Sequence, residues 1–280
     1  MERIDGVKIA EEIIQKLKNQ KKPEKILAAV LVDEDAVSEN FLKQKERVAK
    51  ELGVDLRIYR FSAEIKNDDL RKEVGKIALL KRVGGVIVQL PLPEHINRHY
   101  ILNVIPREKD VDVLGERALG AFYNGRNSVL PPAVGVVQEI IADCRLQIAD
   151  LRIAVVGFGF LVGKPIAVWL MNQKVKELAI FEKGSDLSGL KNYDLIISGV
   201  GKAGLIKPEM LKEGAGLIDF GYSVAEMSNE HGVMSKKISG AFDASLLTTQ
   251  NSLLFYTPTP GGAGPILVVK IFENFYKLNG

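Results

Sequence analysis

Cysteine and histidine are scarce in this sequence. Its 280 residues include three histidines and a single cysteine, Cys144. One thiol cannot form an intramolecular disulfide, and one thiol with three imidazoles is too small a ligand supply for a structural zinc site. We therefore expect no metal and a reducing, cytoplasmic compartment.

An excess of one charge and a long apolar run are also missing. The chain has 38 Lys and Arg against 35 Asp and Glu, a formal charge of +3, with the two signs interspersed. That balance gives no support to a nucleic-acid or membrane partner. No segment runs ~18 apolar residues without interruption, and the first residues are charged rather than apolar. We expect a soluble, unprocessed protein.

Short apolar runs alternate with longer helical patterns, which is typical of βαβ units and a parallel sheet. Hydrophobic residues make up 46% of the chain, enough for one large or two ordinary domains with cores. The predicted strands form two series: 26–32, 56–61 and 85–88, then 152–156, 178–181, 195–198 and 216–219. We predict an α/β protein with two domains that join near 123–128, and a final helix at 266–276.

A glycine-rich loop follows the strand predicted at 152–156. Gly157 permits a tight turn, Gly159 leaves room for a pyrophosphate to approach the backbone, and Gly163 allows close packing of the next helix. The spacing is one residue longer than the usual dinucleotide fingerprint, so a plain turn is the alternative. The residues assigned to a nucleotide are Gly157, Phe158, Gly159, Val162, Gly163 and Lys164.

The next predicted strand ends at Glu182. A carboxylate at that position can accept hydrogen bonds from the adenosine ribose and repel a 2′-phosphate, which favours NAD over NADP. The alternative is an ordinary solvated charge at a strand end.

A lysine lies in the middle of an apolar helical stripe. We predict a helix over 38–52 with Ser38 as its N-cap, and helical spacing places Phe41, Lys45, Val48 and Leu52 on one face. Apolar surroundings lower the pKa of an amine, which suits it to proton transfer near neutral pH. The alternative is a lysine that extends along the helix edge to solvent.

Two further polar groups lie near predicted strand ends or loops. Gln89 follows the strand at 85–88 and begins Gln-Leu-Pro-Leu-Pro, so it lies where open α/β sheets bind ligands. The acidic loop at 108–112 offers a carboxylate that can accept two hydrogen bonds from an amino-pyrimidinone. A backbone-bonded turn residue and a solvated loop are the respective alternatives.

Together these segments resemble the bifunctional methylenetetrahydrofolate dehydrogenase/cyclohydrolase family. The similarity spans nearly the whole chain in the family's order. The matching segments are Ser38-x-x-Phe41-x-x-x-Lys45, Val88-Gln89-Leu90-Pro91-Leu92-Pro93, Glu108-Lys109-Asp110-Val111-Asp112, Val162-Gly163-Lys164-Pro165, Gly201-Lys202 and Thr257-Pro258-Thr259-Pro260-Gly261-Gly262-Ala263-Gly264-Pro265.

The resemblance implies a homodimer of two-domain chains. It implies a folate-binding catalytic domain at 1–133, completed by a C-terminal helix at 262–280, and a Rossmann-like NAD(P)-binding domain at 134–261, with the active site in the cleft between them. It also implies oxidation of 5,10-methylenetetrahydrofolate to the methenyl form and hydrolysis of that product to 10-formyltetrahydrofolate, in one-carbon metabolism.

Individual roles are carried over by the same resemblance. Lys45 matches the catalytic lysine, Gln89 the glutamine that supports it, and Asp112 the carboxylate that binds the pterin. The remaining substrate-binding residues expected from the resemblance are Phe41, Pro260, Gly261 and Gly262.

The chain departs from the family pattern at several of these places. Phe41 replaces a tyrosine, Phe158-Gly159 replaces an Arg-Ser pair that grips the 2′-phosphate of NADP, and Val113 replaces a glycine. NAD remains the expected cofactor, with a tetrahydrofolate derivative as substrate. Two other functions stay open: a non-catalytic folate- or nucleotide-binding relative, and an NAD oxidoreductase of another small substrate.

Overall fold

The computed structural model describes residues 2–33, 36–228, 234–248 and 253–280. Its helices are α1 (Gly6–Lys18), α2 (Ala36–Leu52), α3 (Asn67–Leu79), α4 (Arg98–Leu102), α5 (Glu116–Tyr123), α6 (Pro132–Asp143), α7 (Gly163–Met171) and α8 (Ala263–Asn279). Its strands are β1 (Glu2–Arg3), β2 (Ile26–Val32), β3 (Leu56–Phe61), β4 (Val83–Val88), β5 (Arg152–Val156), β6 (Glu177–Phe181), β7 (Leu195–Ser198), β8 (Gly216–Asp219), β9 (Ser223–Ser228), β10 (Met234–Ser239) and β11 (Phe255–Tyr256).

The chain folds into two compact units. One, called here the β2–β4 unit, consists of Glu11–Pro132 and Val268–Gly280. The other, the β5–β8 unit, consists of Met1–Ala10 and Ala133–Leu267. The α/β class with two domains and parallel strands is confirmed.

The unit boundaries differ from the expected domains at both ends of the chain. Residues 1–10 and 262–267 were expected with the first domain, but they belong to the β5–β8 unit. The reason is a pairing between distant segments: β1 pairs in parallel with β11, and the backbone N–H of Gly6 donates to the carbonyl of Gly261 at 2.9 Å. A two-residue strand has too little periodicity to be visible in the sequence.

The β2–β4 unit is built on a parallel sheet with strand order β3-β2-β4. Every residue of β2 and β4 is buried, because helices cover parallel sheets on both faces and apolar side chains then line both. The carboxyl ends of β2 and β4 lie side by side, so Gln89 directly after β4 lies at the ligand-binding edge of this sheet.

The β5–β8 unit contains a parallel sheet with order β1-β11-β8-β7-β5-β6. The chain order reverses at β5, since β6 lies on one side of it and β7 on the other. Such a reversal opens a crevice at the carboxyl ends of the strands, where dinucleotides bind in this class of sheet. The glycine-rich loop begins at that point, directly after Val156.

Two predicted helices begin earlier than expected. Helix α2 starts at Ala36, so Ser38 lies in its first turn and is not an N-cap residue. Helix α8 starts at Ala263, before the predicted start at 266. Pro265 is compatible with its first turn, because the first N–H groups of a helix have no partner within the helix. Within the described residues, no helix is long and apolar enough to cross a membrane.

Candidate active site

Lys45 is buried in the β2–β4 unit. The apolar stripe of α2 packs inward as predicted, with Val48, Ala49 and Leu52 buried, and it carries Lys45 inside with only 7% of its surface exposed. Its Nζ donates to Oε1 of Gln89 at 2.6 Å. The alternative of a lysine extending to solvent therefore does not describe this side chain.

Gln89 is held from two sides. Its backbone N–H donates to the carbonyl of Val30 at 2.9 Å, which extends the pairing of β2 and β4 by one residue. Its side-chain Nε2 donates to the carbonyl of Leu90 at 3.0 Å. Because the amide nitrogen is engaged there, the amide oxygen faces Lys45.

Asp112 completes a charged pair with Lys45. Burial lowers the pKa of the Lys45 ammonium, and the Asp112 carboxylate opposes that shift. Burial also raises the pKa of Asp112 to about 6, against the attraction of Lys45. The pKa values of both groups are thus closer to neutral pH than those of free side chains, which suits the two groups to exchange protons.

Phe41 lies one turn before Lys45 on α2 and is partly buried. It has no hydroxyl, so it offers Lys45 no hydrogen bond, and what it presents is an aromatic ring. Phe41, Lys45, Gln89 and Asp112 all belong to the same unit.

Asp110 is a residue whose importance the sequence did not reveal. It is 2% exposed, and its carboxylate accepts hydrogen bonds from the backbone N–H of Gly115 at 2.8 Å and of Leu114 at 3.0 and 3.2 Å. Burial raises its pKa to about 7, against these donors. The segment 110–115, called here the Asp112 loop, is closed by these bonds.

The same loop contains a strained residue. Val113 has φ +56°, a left-handed conformation that β-branched residues rarely adopt and that costs of order 1–3 kcal/mol. Its side chain is fully buried. The resemblance places a glycine at this position, which adopts this φ without strain.

The glycine-rich loop of residues 157–163, called here the glycine loop, has the geometry that the sequence predicted. Gly157 has φ +85°, and a Cβ on Gly163 would lie 1.9 Å from the carbonyl oxygen of Gly157, so neither position accepts a side chain without a shift. A Cβ on Gly159 would meet no atom of the described residues within 4 Å. The backbone is therefore open to a ligand at Gly159, beside the N-terminus of α7.

The residues around the glycine loop are placed by the sheet. The N–H of Gly157 donates to the carbonyl of Phe181 at 2.8 Å, so Glu182, the next residue, lies beside the loop. Lys164 follows Val162 and Gly163 into α7, and its Nζ is 5.6 Å from the centre of the Phe158 ring. The backbone N–H of Glu182 bonds to Oγ of Ser185 at 3.0 Å, and its carboxylate is exposed.

Pro260, Gly261 and Gly262 belong to the β5–β8 unit. The Thr259–Pro260 bond is cis, Gly261 has φ +96°, and the N–H of Gly262 donates to the carbonyl of Pro258 at 2.8 Å. These residues form the turn that leads into α8.

Comparison with known proteins identifies the family of both units. Residues 4–112 match the catalytic domain of tetrahydrofolate dehydrogenase/cyclohydrolase, and residues 131–279 match its NAD(P)-binding domain. The chain is 31% identical to the bifunctional protein FolD of Mycoplasmopsis synoviae, an alignment that covers 99% of each chain.

Two solved structures show the same fold. The bifunctional enzyme FolD of Campylobacter jejuni is 28% identical with a TM-score of 0.88, over 98% of this chain and 97% of that one. The Trypanosoma brucei methylenetetrahydrofolate dehydrogenase-cyclohydrolase, complexed with NADP and an inhibitor, is 25% identical with a TM-score of 0.89, over 99% and 96%. Because both domains match in order along nearly the whole chain, the protein belongs to the tetrahydrofolate dehydrogenase/cyclohydrolase family.

Proposed function

We propose that the chain oxidises 5,10-methylenetetrahydrofolate to 5,10-methenyltetrahydrofolate with a nicotinamide nucleotide, and hydrolyses that product to 10-formyltetrahydrofolate. The observation that carries the proposal is the buried Lys45, bonded to Gln89 at 2.6 Å and paired electrostatically with Asp112. Burying an amine lowers the stability of its charged form, and buried amines with a lowered pKa are typical of sites that transfer protons.

Three side chains of the β2–β4 unit are suited to bind the folate. The carboxylate of Asp112 accepts hydrogen bonds from the amino-pyrimidinone edge of the pterin, as carboxylates do from paired N–H groups. The ring of Phe41 offers a face for stacking. Lys45 lies one turn after Phe41 on the same face of α2, and in a bound folate it would face the one-carbon group that reacts.

The oxidation needs little acid–base catalysis. Loss of hydride from the one-carbon bridge leaves a cation that is delocalised over two folate nitrogens, so the requirement is the placement of the substrate. A bound nicotinamide nucleotide supplies the hydride acceptor. The glycine loop fits such a nucleotide, because the backbone at Gly159 is open and the N–H groups at the N-terminus of α7 would face its phosphates.

The hydrolysis needs proton transfer, which falls to Lys45. Water adds to the methenyl carbon and loses one proton, which leaves a hydroxyl on that carbon. One carbon–nitrogen bond then opens, the hydroxyl oxygen becomes the formyl oxygen, and the hydroxyl proton ends on the nitrogen that departs. A neutral Lys45 accepts the proton from water, and Gln89 keeps its Nζ oriented through the 2.6 Å bond. Without a tyrosine hydroxyl at Phe41, this step relies on Gln89 and Asp112.

We further propose that NAD is preferred over NADP. Glu182 lies beside the glycine loop, where its charge favours ribose hydroxyls and repels a 2′-phosphate. Phe158 adds no positive charge to bind that phosphate. We also infer a homodimer from the family resemblance, for which sedimentation equilibrium should give twice the mass of one chain.

The test is an assay of the purified protein with 5,10-methylenetetrahydrofolate and either NAD or NADP. Nucleotide reduction reports the dehydrogenase, and the rise and decay of the methenyl absorbance reports the hydrolysis. We expect reduction with NAD, and a Lys45→Met variant should lose the accelerated decay by at least about a hundredfold.

Each alternative function has its own result in this assay. Folate and NAD binding without turnover would identify a binding protein. Reduction of NAD with a different substrate, inhibited by folate analogues, would identify another oxidoreductase in the same site. Unchanged hydrolysis in Lys45→Met would remove the role assigned to that lysine.

A further inference from the structure

Asn274 connects the last helix to the Asp112 loop. It lies on α8, is 5% exposed, and uses one amide nitrogen for two hydrogen bonds, to the carbonyl of Val111 at 2.8 Å and to the carbonyl of Leu130 at 2.7 Å. Val111 directly precedes Asp112, and it is 163 positions from Asn274 in the sequence. All of these residues belong to the β2–β4 unit.

The bond to Val111 acts on Asp112 through the peptide group. The carbonyl of Val111, the N–H of Asp112 and the Cα of Asp112 lie in one plane, because the peptide bond does not rotate. A donor that fixes the carbonyl therefore fixes the N–Cα bond of Asp112, and the direction in which the Asp112 side chain leaves the backbone then depends on rotation about that single bond.

The rest of the loop is restrained on its other sides. The backbone of Asp110 bridges to Val86 of β4, and the Asp110 carboxylate binds the N–H groups of Leu114 and Gly115. Val113 is held with φ +56°, a conformation that valine leaves when nothing holds it. Asn274 is the restraint that comes from α8.

We propose that Asn274 is a positioning residue that holds the Asp112 carboxylate in the geometry that binds the folate. The inference rests on the proposed role of Asp112 in folate binding. The amide nitrogen of Asn274 donates to the backbone carbonyls of Val111 and Leu130, and the effect on the substrate that we infer passes through Asp112.

The test compares two asparagines on the same helix. Asn274→Leu removes both bonds and keeps a branched side chain with the same number of heavy atoms. Asn279→Leu is the matched control, because Nδ2 of Asn279 also donates to two carbonyls, those of Gly84 and Phe275, but not to the Asp112 loop. Each variant is made in the wild-type chain and in an Asp112→Ala background, which forms a double-mutant cycle.

The measurements are the dissociation constant of 5-formyltetrahydrofolate by calorimetry, the KM for each substrate, and thermal unfolding. We expect Asn274→Leu to weaken folate binding about tenfold in the wild-type chain and less than about twofold in Asp112→Ala. The KM for the nucleotide should not change. Asn279→Leu should lower the unfolding temperature without changing folate affinity.

The outcomes that overturn the inference differ from those that overturn the proposed function. If Asn274→Leu weakens folate binding equally with and without Asp112, or if Asn279→Leu weakens it as much, Asn274 is only structural. If Asp112→Ala leaves folate binding unchanged, the folate role of Asp112 fails and the inference fails with it. Should Asn274→Leu not fold, Asn274→Ser replaces it in the same cycle, since its smaller side chain leaves room for water to bind the two carbonyls.

Discussion

At Phe41 the family resemblance implies a tyrosine, and we expect the hydrolysis step to depend on which of the two residues is present. Its ring lies one turn from Lys45 on α2, and a hydroxyl on that ring would add a hydrogen-bonding group close to the amine. The pair of variants Phe41→Tyr and Phe41→Leu separates the two functions of the side chain, hydrogen bonding and ring stacking.

We expect Phe41→Tyr to accelerate methenyl hydrolysis about fivefold, the effect of roughly one hydrogen bond, without changing nucleotide reduction. Phe41→Leu should raise the KM for the folate in both reactions, because it removes the stacking face. The two rates followed in one assay give both results. A Phe41→Tyr variant with unchanged hydrolysis would show that Gln89 and Asp112 already orient Lys45 fully.

Glu182 is the second residue with a direct chemical test. Replacing it with serine and Phe158 with arginine should raise kcat/KM for NADP relative to NAD by at least about tenfold, because a repulsive charge is removed and a phosphate-binding cation is added. The exposed Glu209 of the same unit serves as control, since Glu209→Ser removes the same charge elsewhere. An equal shift in the control would mean that net charge, and not position, sets the preference.

Among the structural elements, the Asp112 loop contains two buried carboxyl groups, Asp110 and Asp112, whose ionisation is unfavourable. Asp110 has a pKa raised from 3.8 to about 7 by burial. A carboxyl with a raised pKa binds its proton more tightly in the folded chain, so this group makes the free energy of unfolding fall as the pH rises from about 4 to about 7. Asp112 acts in the same direction up to about pH 6.

Asp110→Asn should remove the contribution of Asp110 to that slope. The wild-type chain loses stability through Asp110 as the pH rises, and the variant does not. The free energy of unfolding of the variant minus that of wild type should therefore increase by up to about 3 kcal/mol between about pH 5 and about pH 8. Urea unfolding at several pH values measures it. Asp55→Asn is the control, since exposed Asp55 has a pKa lowered by its bond to Arg57; parallel curves for Asp110→Asn and wild type would contradict the prediction.

At the scale of the whole molecule, nucleotide binding should raise the free energy of unfolding. A ligand at a hundred times its dissociation constant stabilises a folded protein by about 2.7 kcal/mol. The glycine loop provides a matched pair of variants. A methyl group at Gly159 would meet no atom within 4 Å in the part of the chain that the structure describes, whereas one at Gly163 would lie 1.9 Å from the carbonyl oxygen of Gly157.

Gly159→Ala should therefore unfold at the wild-type temperature without nucleotide but lose the rise that NAD causes. Gly163→Ala should unfold at a lower temperature even without nucleotide, at a cost of roughly 1–3 kcal/mol. Thermal unfolding with and without NAD measures both. A full NAD-dependent rise in Gly159→Ala would place the nucleotide away from this loop.

Local sequence patterns were sufficient to predict many of the strands and the buried face of α2. The strands at 26–32 and 152–156 have the predicted limits, and the inward stripe of α2 identified Lys45. These features depend on neighbours a few positions apart, and periodicities of two and 3.6 residues report such neighbours directly. The tight turn expected at Gly157 and the close packing expected at Gly163 are present for the same reason.

What only the tertiary structure decided are the pairings between distant segments. The bond of Asn274 to Val111, the pairing of β1 with β11, and the carboxylate of Asp110 buried on the N–H groups of Leu114 and Gly115 all depend on which surfaces meet. Asn274 lies on α8 three positions after the buried Ile271, so helical spacing made its inward position predictable, as it did for Lys45 on α2. Its partner was not, because periodicity tells which side of an element is buried and carries no information about the segment that covers it.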